Sequence, residues 1–127
     1  MNAKHDDLSR IQEIYDVTTQ TLSQIREVGF TKERFVSPKD AEDDLMAEGL
    51  TNRVFRVAEE GGKLSSEFER YGFELREMSG LRNILAHAYG HVDKKIVWTV
   101  LETDFPQLIA ACEAYCSDRG IELGERA

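Results

Sequence analysis

The sequence predicts an all-α domain, an antiparallel up-and-down bundle of four to five helices, and three observations predict it. Apolar residues recur at intervals of three and four over long stretches, period-two alternation is nowhere sustained, and only two prolines and nine glycines interrupt 127 residues. A chain of this length supports one hydrophobic core, so residues 1–120 are expected to form a single domain and residues 121–127 a loose tail.

Each element has its own signal. Leu8, Ile11, Ile14, Tyr15, Leu22, Ile25 and Val28 define a long first helix that should stop near Gly29. A second should open on Ser37 as N-cap, with Pro38 in the first turn and Asp40 as an acidic first-turn residue. It carries Leu45, Leu50, Val54, Val57 and Ala58 as far as the Gly61-Gly62 break. Ser65 to Tyr71 has room for one or two turns, and Gly72 separates these from a helix running from near Phe73 to near Tyr89 or Gly90. Asp93 caps a final helix with Ile96, Val97, Trp98, Val100, Leu101, Leu108, Ile109, Cys112 and Tyr115. Pro106 should kink or split that helix, because proline has no backbone N–H to donate.

Composition excludes several classes of function. The formal net charge of −8 opposes a broad electrostatic grip on nucleic acid, which needs Lys and Arg to displace phosphate counterions. Any RNA contact must be local or supplied partly by a partner. Met1 to Asp7 is polar without an apolar leader region, and no stretch approaches the roughly 18 apolar residues of a membrane span. The expectation is a cytoplasmic protein, neither exported nor inserted. Cys112 and Cys116, four apart, share a helical face but lack the further ligands of a zinc site, so they read as buried reduced thiols. No metal and no cofactor is called for.

The candidate chemistry lies in the fourth helical stretch. At about 100° per residue with Ser79 at zero, Met78, Leu81, Ile84, Leu85 and Ala88 form an apolar face, expected to be core. Arg82, Asn83, Ala86 and His87 form the other, with small Ser79, Ala86 and Gly90 at its centre. Such a face suits close approach by another element, and a two-fold copy of the chain is the simplest candidate. Two copies would bring two Arg82 and two His87 into one cleft. Histidine titrates near neutrality and can act as base or acid, and arginine offers a permanently charged fork matched to phosphate oxygens. Asn83 can orient the imidazole or donate to phosphate, and Ser79 stands beside them as a further positioning residue. Those types suit metal-free RNA cleavage by the 2′-hydroxyl. Arg53, Arg56 and Lys63 read as a solvated helix face with the potential to meet RNA, and His91 as an exposed loop residue.

The segment Leu81 to Trp98, LRNILAHAYGHVDKKIVW, resembles the HepT-like branch of the HEPN superfamily. That signature is Arg, a polar residue, three more, His, any residue, Tyr; Arg82, Asn83, His87 and Tyr89 fill it. Val92, Asp93, Ile96, Val97 and Trp98 follow at family spacing, and Val57-Ala58-Glu59 stands where the family often has Ile-Gly-Glu. Gly90 and His91 depart from positions often aromatic and often glycine. The resemblance implies a helical bundle that dimerises around the motif and cleaves RNA without metal. It also implies a toxin role beside a minimal nucleotidyltransferase antitoxin that transfers AMP to the motif tyrosine, here Tyr89. The alternatives are an inert module that binds a nucleotide or a partner, and a structural bundle using Arg82 and His87 only as interface groups.

Overall fold

The computed structural model describes residues 3–88 and 91–124, and among these there is no strand. Helix α1 spans Ala3–Val28. It ends on Gly29, whose φ of 65° lets Phe30 N–H reach back to the Ile25 carbonyl at 3.1 Å, and Phe30 itself turns into the core. Among the described residues no helix is long and apolar enough to cross a membrane.

A short helix follows that the apolar spacing does not announce. Helix α2, Lys32–Val36, is capped by Thr31, whose side chain accepts from Arg34 N–H, and it buries Phe35 completely. Helix α3, Ala41–Gly61, then starts later than expected: its N-cap is Asp40, which accepts from Asp43 N–H at 2.8 Å, not Ser37. Asp43 is buried where α2 meets α3, accepting from Arg34 Nε at 2.7 Å and Lys39 N–H at 3.2 Å. A 3-10 helix covers Ser66–Tyr71, and Gly72 closes it at a φ of 106°. Its approach is held by buried Asp7, which accepts from the Ser65 hydroxyl at 2.6 Å.

Helix α4 spans Leu75–His87, α5 spans Lys94–Thr99 with Asp93 as cap, and α6 spans Phe105–Arg119. Between α5 and α6 the backbone passes through one π-helical turn, Val100–Asp104, in which Phe105 N–H bonds to the Val100 carbonyl. Pro106 sits in the first turn of α6, so the predicted split occurs just ahead of the proline, where its missing donor costs least.

Helices α1 and α3 run antiparallel, cross-linked by Arg10 to Glu60 at 3.0 Å and Arg56 to Glu13 at 3.4 Å. Arg53 bonds to Thr21 and Gln24 of α1, so Arg53 and Arg56 are tied to a neighbour helix instead of being merely solvated. Helix α6 covers α1 on one side, while α4 packs on α3 on the other. Two aromatic groups pin the ends: Phe30, Phe35 and Trp98 at one, Phe68, Phe73, Tyr71 and Tyr115 at the other. Buried Thr18 and Thr51 donate to the carbonyls of Ile14 and Ala47 at 2.7 and 2.8 Å, so their hydroxyls do not interrupt the core. Leu45, expected to be core, is 71% exposed, and Ala47 takes the inward position. Cys112 and Cys116 are buried free thiols, and burial pushes both above the usual thiol range. Residues 121–124 lie along α1, with Gln12 exchanging hydrogen bonds with the Gly124 backbone at 2.9 and 3.0 Å.

Candidate active site on helix 4

The position of α4 is set by the end of α3. A Cβ on Gly61 would lie 1.9 Å from Met78 Cε, and one on Gly62 would lie 2.6 Å from Ser79 Oγ and 3.2 Å from Ser79 Cα. Only glycine admits this approach without displacement. Ser79 therefore does not stand free at the centre of an open face. It is half-buried at the contact with α3, where its hydroxyl donates to the Gly62 carbonyl at 3.3 Å.

This contact rotates α4 relative to the expectation. Met78 and Leu85 are buried and Leu81 and Ala88 partly so, but Ile84, expected to be core, is 55% exposed. The inward arc instead extends toward Arg82. The open face is the stripe Arg76, Gly80, Asn83, Ile84 and His87, spaced at the intervals of one helix side. Ala86 is exposed as well.

Arg82 lies at the boundary between the two faces. Its Nη2 is 3.6 Å from Glu59 Oε1 on α3, its Cζ lies 5.7 Å from the centre of the Phe55 ring, and its Nη1 donates to Asn83 Oδ1 at 3.4 Å. Lys63 approaches the same Glu59 carboxylate at 4.0 Å. Asn83 thus engages the guanidinium, a contact different from the two roles expected of it, orienting the imidazole or donating to phosphate. His87 is exposed on the last turn of α4. Five residues separate it from Arg82, or about 140° around the helix and about 7.5 Å along it. Within one chain the two groups flank Asn83 and face different directions.

Helix α4 ends at His87, earlier than expected, because Ala88 leaves the helical region at a φ of −134°. Tyr89, the expected modification site, and Gly90 fall outside the described residues. His91 is exposed. Among the described residues no group of His, Cys, Asp or Glu is arranged to hold a metal ion. Phe55 is a contributor that sequence reading missed, and Glu59, noted there only within the Val57-Ala58-Glu59 run, was given no contact with Arg82. Their signal was the placement of Phe55 and Glu59 four apart on the α3 side that α4 covers.

The fold is thus a helical bundle that presents Arg82, Asn83 and His87 on one accessible helix. A family model described as ribonuclease HepT-like matches residues 38–115, a span that includes α3, α4 and the whole motif. The chain belongs to this family, within the HEPN superfamily. Comparison with curated proteins and with solved structures finds no significant match.

Proposed function

We propose that the protein is a metal-independent endoribonuclease, the toxin of a toxin-antitoxin pair of the type II or VII kind, acting as a homodimer. The observation that carries this reading is the accessible Arg82, Asn83 and His87 on α4, inside the region matched by a ribonuclease family. In the proposed reaction one His87 takes the proton of a 2′-hydroxyl as its oxygen attacks the adjacent phosphorus. The bond from phosphorus to the 5′-oxygen breaks, the leaving oxygen takes a proton from the His87 of the second copy, and Arg82 balances the charge of the phosphorane. The products are a 2′,3′-cyclic phosphate and a 5′-hydroxyl. The separation of Arg82 and His87 around α4 supports a composite site, since the two directions converge most simply across a two-fold axis. The open stripe supports it too: exposed Ile84 and Gly80, which has no atom within 4 Å of a would-be Cβ, offer a face for a second α4.

Control is assigned to a cognate minimal nucleotidyltransferase that transfers AMP to Tyr89. The adenylate would set bulk and negative charge two residues beyond His87, against an incoming phosphate.

The test is incubation of purified protein with RNA in chelator, with the ends identified by mass spectrometry. Cyclic-phosphate ends are expected, with His87→Ala and Arg82→Ala each slowing cleavage by about 100-fold or more while remaining helical. Co-expression with a minimal nucleotidyltransferase encoded beside it should add one AMP mass to the peptide containing Tyr89. Intact RNA with the wild-type protein would instead favour an inert binding module, a reading to which the net charge of −8 and the Glu59 partner of Arg82 lend support.

A further inference from the structure

We propose that Glu59 and Phe55 of α3 are positioning residues for Arg82, holding its guanidinium at the edge of α4 in the orientation that meets phosphate. The inference rests on the ribonuclease reading and deepens it. An arginine side chain is long and loses much rotamer freedom when fixed, so an unsupported Arg82 on a helix surface would sample many directions. Three contacts narrow that range. The Glu59 carboxylate draws Nη2 at 3.6 Å, Asn83 Oδ1 accepts from Nη1 at 3.4 Å, and the Phe55 ring lies beneath Cζ at 5.7 Å.

The arrangement does not serve stability first. Both charged side chains keep about a third of their surface in solvent, 39% for Arg82 and 32% for Glu59, and exposed ion pairs contribute little to folding. Its geometry depends on the Gly61-Gly62 contact, which brings α4 close enough for Glu59 to reach across. A guanidinium has five N–H donors, so engaging one carboxylate oxygen and one amide oxygen leaves donors for a phosphate. Lys63, 4.0 Å from the same carboxylate, offsets part of the negative charge that Glu59 brings near that phosphate.

The full chain is tested as wild type, Glu59→Ala, Glu59→Gln and Arg82→Ala, by cleavage kinetics on a short RNA and by NMR of the arginine Nε–Hε signals. Glu59→Ala should lower kcat about tenfold, below the roughly 100-fold that ångström-scale misplacement can cost, with KM changed less than about twofold. Glu59→Gln, which keeps an acceptor oxygen, should restore most of the rate. The signal that Arg82→Ala removes should be distinct in the wild type and collapse to the averaged position in Glu59→Ala, while melting temperatures agree within about 3 °C. An unchanged kcat, a faster reaction or a lower KM in Glu59→Ala would each overturn the proposal, the last two because Glu59 would then be masking Arg82. If the wild type cleaves nothing, the ribonuclease reading fails. The NMR comparison still decides the positioning, and an averaged Arg82 signal in the wild type overturns it.

Discussion

Arg82 and Asp104 show how a charged residue's neighbours, more than its type, decide what it does. The motif made Arg82 conspicuous, yet nothing in residues 82–89 indicates that its guanidinium is held by Glu59 and Phe55, because those contacts come from a helix more than twenty residues earlier. Asp104 is not conspicuous in the sequence. It lies half-buried beside Glu74 and Glu77 at a small cavity between α3, α4 and α6, where burial and then the charge of Glu74 raise its carboxyl above the usual range. The folded protein therefore keeps this proton to higher pH than the unfolded chain, whose carboxyl titrates near about 3.9. Its contribution to stability is best below that value and falls as pH rises through the raised one. Asp104→Asn is expected to raise the melting temperature at pH 7, with the gain shrinking toward zero near about pH 3. A thermal melt series across pH measures this, and an equal or lower melting temperature at neutrality would contradict it.

Among the elements, those set by long apolar periodicity were legible and those set by a few local contacts were not. Helices α1 and α3 follow from three-and-four spacing, with Gly29 stopping α1 at a positive φ and the Gly61-Gly62 pair ending α3. Helix α2 escaped because five residues are too few to show a period, and its signals are a Thr31 cap and one buried Phe35. The rotation of α4 was illegible for a different reason. Hydrophobic type placed Ile84 inward, whereas the inward direction is dictated by two glycines on α3 that let Met78 and Ser79 approach. Gly62→Ala tests that account. The backbone φ at residue 62 is −67°, so alanine is conformationally acceptable, but its Cβ would press on Ser79 and on the Ala58 carbonyl at 3.2 Å. Overpacking of this kind costs about 1–3 kcal/mol. Urea unfolding should show a loss of that order, partly recovered when Ser79→Ala removes the hydroxyl. A neutral or stabilising Gly62→Ala would mean the glycine contact does not set α4.

At the scale of the whole molecule, one side of α4 leaves Gly80, Asn83, Ile84 and His87 exposed, with no element among the described residues covering them. The all-α class and the motif's place near the end of a helix were readable from spacing, but which side of that helix stays open needed the packed bundle. Ile84→Asp places a charge on that side without touching Arg82 or His87. If a second copy covers it, light scattering should report monomers, and RNA cleavage should fall with the dimer while helicity persists. A variant that is monomeric and fully active would remove the composite site. The π turn ahead of Pro106 bears on how α6 is seated. Such a turn holds one residue more than an α-helix of the same span, so the extra residue is absorbed between α5 and α6 without breaking the helical path. Deleting one residue from this turn would keep α6 seated by restoring ordinary helical bonding, whereas a loss of one residue early in α6 would swing Leu108, Cys112 and Tyr115 by about 100° out of the interior.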